Sequence, residues 1–165
     1  MPKRILILGA GPSGMMAAIS AKSENPQHEI ILIDGNKRLG TKMRLTGGGR
    51  CNLTANVPIP VVIQNLVKNN RFLYSSLHRF GPEEIMDFFE KHGCPLKEED
   101  HHRMFPVTDR SVDVVNTLEQ NLNKLDVKLL LGERVTKVAV EEKCLYVEKK
   151  AYPYDALIVA TGGVS

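Results

Sequence analysis

Ile5-Leu6-Ile7-Leu8-Gly9-Ala10-Gly11-Pro12-Ser13-Gly14 decides the fold. Four apolar residues in a row, stopped by glycine, predict a strand buried on both faces. Met15 to Ala21 contain neither Gly nor Pro and predict a helix, which ends before Asn25-Pro26 because proline disfavours helix in the residue ahead of it. Ile30 to Ile33 form a second apolar run, closed by Asp34. Strand, glycine turn, helix and strand in succession make a βαβ unit.

Gly9 to Gly14 spell GxGxxG. The first glycine allows a tight turn out of the strand, the second lets the backbone approach a pyrophosphate, and the third lets helix and sheet pack closely. The helix N-terminus then offers N–H groups and partial positive charge to phosphates, and Pro12 suits a first helical position, whose N–H has no intrahelical partner. By itself the motif also fits a plain glycine-rich turn. Its context is more specific, because Asp34 follows Gly14 by 20 residues, where a carboxylate accepts hydrogen bonds from a ribose diol. An acid there disfavours a 2′-phosphate and so NADP, while NAD and FAD both stay open.

The rest of the chain alternates between irregular and regular stretches. Gly35 to Asn56 are rich in Gly, Lys and Arg, with at most a turn near Thr41 to Leu45. Residues 58–125 read as a helical excursion. Within it, a helix over Pro82 to His92 has Glu83 and Glu84 in its first turn, Lys91 and His92 in its last, and Gly93 beyond. A second helix over Ser111 to Leu125 carries Val112, Val115, Leu118, Leu122 and Leu125 at helical spacing, a core stripe. Val127 to Leu131 is a strand candidate, Arg134 to Glu141 and Cys144 to Lys149 flank a hairpin turn, and Tyr154 to Ala160 reads as a last buried strand. The expected class is α/β: a Rossmann-type parallel sheet with a small antiparallel meander near 134–149 and the helical excursion.

Composition narrows the function classes. A chain of 165 residues with 42% hydrophobic and 25% charged residues suits one globular domain. The net charge of +3 is small and its basic residues are scattered, which argues against a nucleic-acid partner. No segment approaches the roughly 18 apolar residues of a membrane span. The apolar run after Met-Pro-Lys-Arg breaks at Gly9, unlike a signal peptide, so a cytoplasmic protein is expected. Cys51, Cys94 and Cys144 are widely spaced, giving neither a disulfide framework nor a zinc site. Asp100-His101-His102 fits no zinc spacing either, so no metal is expected, and Glu98-Glu99-Asp100 reads as a solvated acidic turn.

Leu39 to Thr54 read LGTKMRLTGGGRCNLT, in which Gly47, Gly48 and Gly49 leave the backbone bare for close approach to a flat ring or a phosphate. TGGGRCNLT, soon after a GxGxxG unit, closely resembles the signature of the BaiN/RdsA-like family of NAD(P)/FAD-dependent oxidoreductases, flavoproteins with a glutathione-reductase-like FAD fold. The likeness extends to His102-Arg103-Met104-Phe105-Pro106-Val107-Thr108-Asp109 before a helix, and to Ala160-Thr161-Gly162-Gly163. Asp34 stands where the family usually has glutamate, and Ala55 stands where it tends to have asparagine.

The resemblance implies bound FAD, with NAD(P)H as a possible electron donor. It places the pyrophosphate at Gly9, Ala10, Gly11, Pro12, Ser13 and Gly14, and the adenosine ribose at Asp34 beside Gly35 and Asn36. Lys42 and the loop Thr46, Gly47, Gly48, Gly49, Arg50, Cys51 and Asn52 fall along the ribityl and flavin side. Val135 falls at the adenine, and Thr161 and Gly162 at the cofactor's middle. Cys51 is a candidate redox thiol, since a neighbouring cation lowers a thiol's pKa. Family members run far longer than residues 1–165, so the chain is expected to be an FAD-binding domain without the substrate domain and the closing C-terminal segment. An inert nucleotide-binding fragment and an NAD-binding Rossmann module are the competing expectations.

Overall fold

The computed structural model describes residues 1–163. In chain order the elements are β1 (Arg4–Leu8), α1 (Pro12–Glu24), β2 (Glu29–Asp34), β3 (Thr54–Ala55), α2 (Ile59–Gln64), α3 (Tyr74–Arg79), α4 (Pro82–Lys91), β4 (Leu96–Glu99), β5 (Arg103–Pro106), α5 (Ser111–Lys124), β6 (Lys128–Leu131), β7 (Val135–Ala139), β8 (Cys144–Val147), β9 (Lys150–Pro153) and β10 (Ala156–Val159). They form two compact units: residues 1–43 with the chain from Leu118 onward, and residues 44–117.

The first unit holds a four-stranded parallel sheet in the order β10-β1-β2-β6. Leu6 stands opposite Ile31 and Leu157, so these side chains share a face. That face packs with the antiparallel meander β7-β8-β9 around Leu6, Ile31, Ile33, Leu145 and Val147. Ile7, Ile30 and Leu32 are buried as well, and a sheet covered on both sides is why its strands read as unbroken apolar runs. The helix α1 lies along β1 and β2 and buries Met15, Ala18 and Ile19. The Rossmann-type sheet is as expected, and the meander extends past the expected stretch 134–149 through β9.

The last strand differs from expectation. Ala156–Val159 pairs with β1 alone among the described residues, and Ile158 and Val159 are 37% and 63% exposed. An apolar run does not distinguish a central strand from an edge strand.

The second unit is less helical than the sequence implied. Its helices α2, α3 and α4 accompany an antiparallel sheet in the order β3-β5-β4. Glu98 and Glu99, expected in a solvated turn, belong to β4, opposite Met104 and Arg103. The helix α4 starts at Pro82 as predicted, with Glu84 accepting the Gly81 N–H at 2.8 Å and Gly93 past its end at a φ of +82°. The core stripe of α5 holds at Val115, Leu118 and Leu122, and Val114 joins it. No helix among the described residues is long and apolar enough to cross a membrane.

Candidate functional site

The chain leaves β1 at Gly9 with a φ of +109°, a conformation that suits glycine. A Cβ at Gly9 would collide with the Ala160 carbonyl oxygen and approach the Thr161 nitrogen to 3.0 Å. A Cβ at Gly14 would collide with the Gly9 carbonyl oxygen. Gly11 is different: its backbone is extended, and nothing lies within 4 Å of the Cβ it lacks. Two of the three glycines are therefore required by the protein's own packing. The third faces open space beside the start of α1.

That open side is suited to an anion. The first helical bond runs from Met15 N–H to the Gly11 carbonyl at 3.0 Å, so the N–H groups of Ser13 and Gly14 precede the intrahelical ladder. Pro12 and Ser13 are exposed, and the first turn has no acidic residue. Bare amides, the helix dipole and an unfilled cradle together fit a diphosphate.

Asp34 ends β2 next to this turn. Its Oδ2 accepts the Ala10 N–H at 2.6 Å, and its Oδ1 accepts the Asn36 N–H at 2.7 Å and the Asn36 side-chain amide at 2.9 Å. The carboxylate thus ties the strand end to the glycine turn. The chain following β6 comes back to the same corner: Glu133 N–H donates to the Asp34 carbonyl at 3.1 Å and Gly132 N–H to the Asn36 carbonyl at 2.9 Å. A Cβ on Gly35 would lie 3.8 Å from Arg134, whereas neighbouring Val135 pairs with Val147 and packs against the core of the sheet and meander. Thr161 and Gly162 follow β10 beside Gly9, both exposed, with Gly162 at a φ of +79°. Lys42 is exposed in the same unit.

The second unit contains the triple-glycine loop. Gly47, Gly48 and Gly49 take φ values of +55°, +66° and +86° in succession, and Cys51 follows at +63°. A side chain at any of the three would strain the backbone, which explains the run of glycines. The loop closes on itself through Cys51 N–H to the Thr46 carbonyl at 3.1 Å, and it joins the sheet through Leu53 N–H to the Met104 carbonyl at 2.9 Å. With its amide nitrogen turned toward acceptors, Asn52 donates to the carbonyls of Thr54 (2.9 Å) and Met104 (3.3 Å). Gly48 has open space around its missing Cβ, whereas a Cβ on Gly47 would press on Asn52 N and the Phe105 ring.

One expectation about this loop changes. Arg50 does not lower the Cys51 thiol. Its guanidinium engages Glu99 at 2.9 and 3.0 Å and Asp109 at 3.3 Å, and it lies 4.2 Å above the Phe105 ring. Cys51 is itself buried, and burial pushes its thiol up, with a hydrogen bond to Thr46 pulling the other way. Adjacent residues on an irregular loop project apart, and proximity in sequence carried no electrostatic coupling. Sequence reasoning gave Phe105, Glu99, Asp109 and Lys97 no role around Arg50, although Phe105 and Asp109 lie in a segment that carries the family resemblance. The one legible signal was Lys97 and Glu99, spaced two apart as on one face of a strand.

Known proteins match this pattern. Residues 3–165 match the family model described as HI0933-like protein Rossmann domain. The 3-dehydro-bile acid delta(4,6)-reductase of Clostridium scindens is 30% identical over 162 residues, 97% of this chain and 39% of the reductase. The ribosomal RNA dihydrouridine synthase of Escherichia coli is 32% identical over 162 residues, again 97% and 39%. Among solved structures, Escherichia coli quinol fumarate reductase FrdA superposes with a TM-score of 0.71 at 18% identity, over 99% of this chain and 33% of that one, a likeness of fold. The chain spans about two fifths of the length of these two curated relatives. The family resemblance drawn from the glycine motifs is borne out: the chain belongs to the HI0933-like Rossmann domain family.

Proposed function

We propose that this chain is the cofactor-holding portion of a flavin-dependent oxidoreductase and that its cofactor is FAD. The pyrophosphate lies over Gly11, Pro12 and Ser13, the adenosine ribose meets Asp34, and the adenine meets backbone near Val135. Thr161, Gly162, Lys42 and the loop Thr46–Asn52 serve the flavin half. One observation carries this assignment: Gly9 and Gly14 are forced by packing, while Gly11 has no internal need to be glycine. A ligand that must touch backbone there supplies the reason.

Bound FAD would supply two-electron chemistry, with NAD(P)H as donor and an organic acceptor. The protein's share is to orient the cofactor and shield it. The two curated relatives are named for a bile-acid substrate and a ribosomal RNA substrate, yet they match this segment about equally well. The shared segment therefore reads as the cofactor module. The RNA-directed relative also reopens the exclusion of nucleic acid made from charge alone. For residues 1–165 we retain a small-molecule cofactor as the partner.

The test is the cofactor released on denaturation, together with Gly11→Val. Wild-type chain is expected to release FAD, while Gly11→Val keeps its circular dichroism and loses the flavin. A variant with full flavin content, or release of NAD instead, rejects the assignment.

A further inference from the structure

The triple-glycine loop is an expensive shape to hold. Four of the five residues 47–51 sit at left-handed φ, three of them glycines with the most backbone freedom to lose. Inside the loop, Arg50 N–H to the Gly47 carbonyl at 3.3 Å and Cys51 N–H to the Thr46 carbonyl at 3.1 Å provide the closure.

Its support comes from the sheet. Lys97 pairs with Phe105 across β4 and β5, so Lys97, Glu99 and Phe105 share one face. Phe105 is 1% exposed, and its ring touches both ends of the loop: it lies 3.3 Å from where Gly47 would carry a Cβ, and under the Arg50 guanidinium. Around Arg50 the charges close into a ring. Arg50 reaches Glu99 and Asp109, and Lys97 reaches Asp109 at 2.5 Å and Glu99 at 3.3 Å. Two cations and two anions balance, and the Arg50 guanidinium faces protein carboxylates.

We infer that Arg50, Glu99, Lys97 and Asp109, seated on Phe105, form an ionic latch that fixes the glycine loop in the shape that receives the flavin half of the cofactor. Arg50 is then a positioning residue, acting on the protein's own carboxylates and not on a phosphate. The inference rests on the assignment of this loop to the FAD site.

Glu99 separates the two roles. If Arg50 were a direct ligand of the cofactor, Glu99→Gln would free its charge and leave FAD binding unchanged or tighter. A latch predicts the opposite sign. Arg50→Gln, Glu99→Gln and the double variant are compared with wild type in the full chain, by FAD titration and by amide hydrogen exchange of residues 46–52 without FAD. Each single variant is expected to weaken FAD about fivefold and to speed exchange in the loop by a similar factor, with the double variant no worse than the weaker single. Wild-type FAD affinity in Glu99→Gln, additive effects, or unchanged exchange would overturn the latch. Should wild type take up no FAD, the cofactor assignment fails while the exchange measurement still decides the latch. Should the variants fail to fold, exchange in wild type across a salt series serves instead. Partly exposed pairs are screened, so loop exchange must rise with salt, and a flat profile rejects the latch.

Discussion

At the scale of single residues, the GxGxxG motif separates into two kinds of glycine. Gly9 and Gly14 answer to steric demands inside the protein, while Gly11 has open space where its Cβ would be. Gly14→Ala must therefore push against the Gly9 carbonyl, a backbone atom that cannot swing away. We expect a loss of about 3 kcal/mol, the upper range for overpacking, read as a lower urea midpoint. Gly11→Ala, with a φ of −76° that any residue adopts, is expected to cost about 0.5–1 kcal/mol, because glycine is preferred over alanine at an N-cap, while weakening the proposed cofactor binding. Equal destabilisation by both substitutions would refute the distinction. The sequence showed the three glycines and Asp34 plainly. The motif also assigned close packing to Gly14 and ligand approach to Gly11; what it hid was that the atom opposing Gly9 belongs to Ala160, far along the chain.

At the scale of elements, local patterning was legible where strands are buried on both faces and where helices carry their own start and stop signals. β1, β2 and α4 are of that kind. β3, β4 and β5 were missed for a physical reason: they are two to four residues long, and β4 reads Leu-Lys-Glu-Glu. Its charges pair with Arg50, Asn56 and His102, so a stretch that looked solvated is engaged in structure. Phe105 is the apolar centre of that small sheet. Phe105→Ala should cost about 3–5 kcal/mol, as for other buried phenylalanines, and should loosen the glycine loop. Phe105→Leu should restore much of the stability without the aromatic face beneath Arg50. Chemical denaturation with hydrogen exchange reads both, and a loop as protected in Phe105→Ala as in wild type would show that the ring does not support it.

At the scale of the whole molecule, the two units share an electrostatic habit that sets how the chain meets acid. Hydrogen bonds from Lys128 and Arg4 hold Glu29 below the usual carboxylate range in the first unit. In the second, Asn56 and His102 do the same for Glu98, Arg50 for Glu99, and Lys97 for Asp109. A carboxyl with a lower pKa folded than unfolded contributes stability in full above its unfolded value. That contribution drains away as pH falls through the folded value. The unfolded values lie at about 4, so stability from these groups should be level between pH 7 and pH 5 and fall steeply below about pH 4. Glu99→Gln removes one of the four groups together with its pull on Arg50. The variant should start lower at neutral pH and lose less on acidification, so that its curve converges with wild type in acid. Urea midpoints measured across pH 3–7 for the two proteins check this. Parallel curves, with no convergence in acid, would mean that the charge of Glu99 contributes nothing to the folded state and that Arg50 is held by Phe105 and Asp109 alone.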